Sequence, residues 1–330
     1  MKYDPEPKRL ELFLEWLLSR GRQCDMGMPA RTFRQGTAGF WRLWPILPAC
    51  DEIHHVVYMD GLWIGRDCVL LIACTDEFTI GCHLARTENS KDWGCLMSRI
   101  AAPDVLVCDG GGAIEAARRR RWPTTRVQRC VFHAFCQVKR CTTSRPKLQA
   151  GAELYGIAKS LLHVGDTDGA AEWLASFANW CARWEDFLKE RTIVDGRPQY
   201  KHERLRKARR GLEKLCREGT LFTYLDENLT KGGPVPATSN KVESNNARIR
   251  DMLRNHRGLR TDRRIKAGFW WCYMNSEAPL TYARMLEELP DDDKIMEWRR
   301  KAARGSVQDV ARWGEGIVWS EFHISTPFRR

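Results

Sequence analysis

The stretch that most limits how this chain can fold is His55–Gly65, read as HVVYMDGLWIG. Val56, Val57, Tyr58 and Met59 follow one another without a polar position, so neither face of the segment suits water. A short, apolar, β-branched run of this kind reads as a strand buried inside a sheet. One carboxylate, Asp60, stands in its middle. An unpaired charge there costs several kcal/mol unless another charge offsets it or the group protonates. Such a position suits an acid with a cation, usually a metal ion, beside it.

The segments around this strand predict an α/β fold with a mixed sheet. Asp67–Cys74 and Phe78–Leu84 read as two more strands joined by short connections, as in an antiparallel meander. Asn89 and Ser90 can cap a helix that runs to Ile100. Pro103–Cys108 is a fourth strand ending on Asp109-Gly-Gly-Gly; a helix from Ala113 to Arg121 and a fifth strand near Val127–Phe132 follow. Three antiparallel strands, helix, strand, helix, strand is the ribonuclease H-like order.

On either side the period is helical. Leu10, Phe13, Leu14, Leu17 and Leu18 form one stripe, and a second helix from Pro29 carries Phe33, Phe40 and Trp41 inward, with Arg31, Arg34 and Arg42 outward. Residues 1–50 therefore read as a helix-turn-helix-like DNA-binding region or as a plain helical hairpin. The first part of the catalytic domain is expected over 51–147. An all-α insertion is expected over 148–232, with an aromatic stripe of Trp173, Phe177, Trp180, Trp184 and Phe187 forming its core. A basic helix from Tyr200 to Arg217 belongs to the same insertion. The second part of the domain, 233–280, carries a helix from Thr238 through Glu243 to Leu253, and a C-terminal tail fills 281–330. In that tail Asp291, Asp292 and Asp293 fit the N-terminus of a last helix.

Charge adds a partner class. The chain is net +12, and the excess is concentrated: ten basic residues against one acid in Glu115–Lys147, ten against three in Lys231–Trp270. Confinement to two segments indicates a polyanion-binding surface. Thirteen scattered cysteines without a Cys-x-x-Cys pair argue against a zinc ribbon and a disulfide framework, and for a reducing compartment. With no signal-peptide pattern and no apolar run of membrane-spanning length, a cytoplasmic location is expected.

Three acids stand apart from surface charge: Asp60 in mid-strand, Asp109 at a strand end, and Glu243 early in a helix. The last two have plainer alternatives, Asp109 as a turn former before glycines and Glu243 as the capping-box partner of Asn240, whereas Asp60 is the hardest to explain so. In a ribonuclease H-like arrangement the first and fourth strands are neighbours, so Asp60 and Asp109 would approach. Two carboxylates at that distance repel and one would protonate unless divalent cations lie between them; hard oxygen ligands select Mg²⁺ or Mn²⁺, and two ions are expected.

Several motifs carry a resemblance. Tyr58-Met-Asp60-Gly, Val107-Cys-Asp109-Gly-Gly, Arg129-Cys-Val-Phe-His133 and the run from Thr238-Ser-Asn through Glu243-Ser-Asn-Asn to Arg250 resemble the bacterial insertion-sequence DDE transposases related to Mutator. So do Leu253-Arg254-Asn-His-Arg-Gly and Phe269-Trp-Trp-Cys-Tyr273. The resemblance implies that Asp60, Asp109 and Glu243 are the catalytic, metal-binding triad, and that Cys130 and His133 form a signature near the active site. It also implies cleavage at element ends, transfer of the 3′-hydroxyl into double-stranded target DNA, and a homo-oligomer assembled on DNA. Arg31, Arg34, Arg248, Arg250 and Arg254 are the expected DNA contacts. Relatives often carry an N-terminal zinc module that is not recognisable here, so recognition of the ends is expected to rest on the first fifty residues. The alternatives are an endonuclease of the same fold that does not join strands, and a DNA-binding protein from an inactivated element.

Overall fold

In the computed structural model, which describes residues 5–303, apolar spacing sets the first elements. Helix α1 (Glu6–Leu18) buries Leu10, Phe13, Leu14 and Leu17, the stripe expected from i, i+3, i+4 and i+7, together with Trp16. Helix α2 (Ala30–Thr37) buries Phe33, and the 3₁₀ turn after it buries Phe40 and Trp41. Then come β1 (Val56–Ile64), β2 (Cys68–Cys74), β3 (Thr79–Ala85), α3 (Ser90–Met97), β4 (Val105–Cys108), α4 (Gly112–Arg121) and β5 (Arg126–Arg129). This succession is the one the apolar pattern predicts, a mixed α/β arrangement compatible with a ribonuclease H-like fold.

Beyond β5 lie α5 (Val131–Thr142), α6 (Gln149–Ser160), α7 (Thr167–Arg183), α8 (Glu185–Lys189), β6 (Arg191–Val194), β7 (Arg197–Tyr200), α9 (Glu203–Glu218) and α10 (Glu227–Thr230). The chain continues through α11 (Asn240–Asn255), α12 (Thr261–Met274), α13 (Tyr282–Glu288) and α14 (Asp292–Ala303). The expected tail is described as far as 303, and its remainder lies outside the described residues. No helix among the described residues is long and apolar enough to cross a membrane.

Two units divide the chain. Among the described residues, one holds 5–103, Gly111–Thr124 and 240–303; the other holds Asp104–Gly110 and Thr125–Ser239. In the first, β1, β2 and β3 pair antiparallel, with Asp60 opposite Ile72 and Ile72 opposite Cys82. Every residue of β2 is buried. Gly65, at φ +72°, makes the turn between β1 and β2. Asn89 caps α3 through its side-chain oxygen, which accepts from the backbone of Lys91 and Asp92, each at 3.0 Å.

The N-terminal helices share this unit's core. Phe13 meets Trp41 edge-on at 5.0 Å and Trp270 of α12 at 6.4 Å, and Trp16 meets Phe33 at 5.4 Å. The tail acids do more than cap: Asp291 accepts from the backbone of Lys294, Asp293 pairs with Arg42, and Asp292 accepts from Trp44 and from the buried Lys266.

The second unit contains a parallel pair, β4 with β5, Cys108 opposite Arg129. Its core gathers α5, α6, α7 and α9 around the aromatic stripe. Trp173, Phe177 and Trp180 are buried, with Trp184 and Phe187 packed against them. The indole N–H groups do not go unsatisfied: Trp173 donates to the Ile157 carbonyl at 2.7 Å and Trp180 to that of Ala150 at 3.0 Å.

Two expectations need correction. The insertion is not all α, because β6 and β7 form a hairpin with Asp195 at φ 52° and Gly196 at φ 73°. Asp-Gly supplies the two positive φ values of a tight hairpin turn, and α9 accordingly starts after Tyr200, at Glu203. The fifth strand also ends earlier, at Arg129. Val131, Ala134, Phe135 and Val138 repeat with a helical period and are buried as one face of α5. Cys130 and His133 therefore lie at the start of a helix.

Candidate active site

Asp60 sits half-buried near the middle of β1, and both its oxygens are held. The Gly61 backbone N–H donates to Oδ1 at 2.8 Å, and Asn246 Nδ2 donates to Oδ2 at 2.7 Å. Asn246 lies on α11, is 0 % exposed, and has no hydrogen-bond partner for Oδ1 among the described residues. Glu243 stands three positions earlier on the same helix, hence on neighbouring surface one turn away. Val242, Asn245, Asn246 and Ile249 are the buried side of α11. Glu243 itself is half-buried at that boundary. Because α11 begins at Asn240, Glu243 lies one place beyond the third helical position that a capping-box acid occupies.

The glycine after Asp60 has its own reason. A Cβ at Gly61 would lie 2.7 Å from Oε1 of the exposed Glu88 and 3.1 Å from Val69 Cγ2, so the Glu88 side chain would have to shift to admit one. Cys74 lies near the same end of α11. Burial pushes its thiol up to about 12, while the positive Lys241 and a hydrogen bond with Asn245 pull the other way.

Asp109 belongs to the second unit, half-buried where β4 ends. Gly110 follows in the left-handed region, φ +72°. A Cβ there would fall 2.7 Å from Arg129 Cδ, so the arginine side chain lies against this turn. The Cys130 N–H donates to the Cys108 carbonyl at 3.0 Å, tying the start of α5 to the end of β4. Burial raises the Cys130 thiol, but hydrogen bonds with His133 and Ser239 outweigh it and hold the group below its ordinary 9.0.

The arginines expected on DNA lie at the surface. Arg31 and Arg34 are exposed on α2, Arg34 donating to Gln23 Oε1 at 3.3 Å. Arg248 and Arg250 are exposed on α11. Arg254 pairs with Asp251 at 3.4 Å, and Arg20 reaches the same carboxylate at 2.8 Å. Residues that the sequence reading did not single out are Asn246, Ser239 and Arg129. The signal for Asn246 was present in the paired asparagines three positions after Glu243, which an α-helix returns to the same side.

No family model matches the chain. Among characterised proteins it is similar to the transposase for insertion sequence element IS406 of Burkholderia multivorans, 26 % identical over 186 residues. The matched region covers 51 % of this chain and 46 % of that protein, so the chain spans about half the length of its relative.

Proposed function

We propose that this protein is a DNA transposase of the DDE type, related to the Mutator-like insertion-sequence enzymes. The observation that carries the reading is the pairing of Asp60 with Asn246. It holds a mid-strand acid against the helix that carries Glu243, in a chain similar to an insertion-sequence transposase. Asp60, Asp109 and Glu243 are the proposed catalytic carboxylates. The donors suit a hard cation: all three proposed ligands are carboxylates. Two bound Mg²⁺ or Mn²⁺ ions would polarise the scissile phosphate and neutralise developing charge. The Asn246 amide fixes the Asp60 rotamer, as outer partners of ligating carboxylates do.

Water then attacks the phosphorus at the element end, and the 3′-oxygen leaves as a free hydroxyl. That hydroxyl attacks a phosphodiester of target DNA in the same way, displacing its 3′-oxygen. Neither step needs a covalent protein–DNA bond. Arg248, Arg250 and Arg254 neutralise phosphates, Arg31 and Arg34 serve the element ends, and the working form is a homo-oligomer on DNA. The test is a plasmid carrying the inverted repeats that flank the reading frame, incubated with purified protein in Mg²⁺ or with a chelator. Mg²⁺-dependent cleavage at the repeats followed by joined products supports the proposal. Cleavage that never yields joined products, or no cleavage, contradicts it.

A further inference from the structure

The guanidinium of Arg129 is buried and in no ion pair among the described residues. Arg129 is 2 % exposed, and its Nε and Nη1 have no hydrogen-bond partner among the described residues. Its backbone is fully used, the N–H donating to Thr220 at 2.7 Å and the carbonyl accepting from Gln128 at 2.6 Å. Guanidinium does not deprotonate in proteins, and an unpaired ion out of water costs several kcal/mol. Arg99, also buried, likewise has Nε and Nη1 without a partner among the described residues, but its Nη2 donates to the Leu47 carbonyl.

The surroundings of Arg129 suit an anion. Its side chain lies on the Asp109–Gly110 turn, where a Cβ on Gly110 would come 2.8 Å from Cζ. The glycine thus leaves backbone surface for the guanidinium to lie against. Two residues on, α5 begins at Val131, and the positive end of a 12-residue helix adds to the local potential. We propose that Arg129, against the Asp109–Gly110 turn, binds a phosphate oxygen of the DNA strand. The guanidinium fork matches two phosphate oxygens and offsets the repulsion of the neighbouring Asp109 carboxylate. Naming the anion as a DNA phosphodiester rests on the transposase reading; the anion site itself does not.

The test uses the full chain and inorganic phosphate as the probe. Melting temperatures of wild type, Arg129→Met and Arg129→Lys are compared in chloride and in phosphate at matched ionic strength. Wild type is expected to melt a few degrees higher in phosphate. Arg129→Met is expected to melt no lower than wild type in chloride, since a buried guanidinium with unpartnered nitrogens is removed, and to gain nothing from phosphate. Arg129→Lys should keep part of the gain, having charge without the fork. The site is overturned if wild type shows no phosphate response or if Arg129→Met responds as wild type does. It is equally overturned if Arg129→Met is destabilised or unfolded in chloride. An Arg129-dependent phosphate response in a protein that cuts no DNA keeps the site and sinks the transposase reading. Mg²⁺-dependent cutting without that response does the reverse.

Discussion

At the scale of single residues, Asn246 is the group whose role is most open to test. Its side-chain amide donates to Asp60 Oδ2, and the residue is 0 % exposed. Asn246→Ala removes a hydrogen bond to a charged group and leaves the Asp60 rotamer to solvent. Outer partners of metal ligands typically carry about 10–100-fold in affinity or activity. Asn246→Ala should therefore lower DNA cleavage by about that factor and shift the Mg²⁺ titration to higher concentration. A variant with the wild-type Mg²⁺ dependence but a lower melting temperature would make Asn246 a packing residue. Asp60 was legible in the sequence because a charge interrupts an apolar run. Asn246 was announced only by its spacing from Glu243, since an asparagine in a basic helix otherwise reads equally well as surface.

Elements differ in how much of them the chain announces. The stripe from Trp173 to Trp180 is core, as its 4 and 3 spacing indicated. Trp180→Ala should cost about 3–5 kcal/mol in chemical denaturation. An unchanged stability together with weakened DNA binding would assign the stripe to base stacking instead. The hairpin of β6 and β7 was also written in the sequence, in Thr192-Ile-Val-Asp-Gly, but the surrounding helical period masked it. The end of β5 was harder, since Val127 to Phe132 suits a strand locally; only the longer period through Val138 decides for α5. Tertiary contacts that join distant elements carry no local signal. His256, 7 % exposed just after α11, donates to the Leu17 carbonyl of α1 at 2.9 Å. Burial holds its pKa below the ordinary 6.5 despite hydrogen bonds that favour the charged form. A depressed histidine binds its proton more tightly in the unfolded chain. Its contribution is therefore intact above pH 6.5 and is lost as pH falls through the folded value. The melting temperature of wild type should fall on acidification below that point more steeply than that of His256→Gln. Parallel acid profiles would remove His256 as the cause.

For the molecule as a whole, the net charge of +12 and the exposed arginines of α11 make phosphate contact the dominant expected interaction. The Arg254–Asp251 pair is exposed and worth little, so a phosphate can replace the carboxylate. Arg254→Ala should weaken binding by a similar factor on unrelated DNA sequences and reduce the salt slope by roughly one unit. A loss confined to one sequence would mean that Arg254 reads a base. The three acids decide the account. Asp60→Asn, Asp109→Asn and Glu243→Gln each keep the side-chain shape and remove one negative charge. The measurement is cleavage of element-end DNA in Mg²⁺ by these variants, each first shown to melt as wild type does. All three substitutions should abolish cleavage and strand transfer while DNA affinity holds or rises slightly. Wild-type cleavage by any one of them, Glu243→Gln above all, would contradict the proposed chemistry.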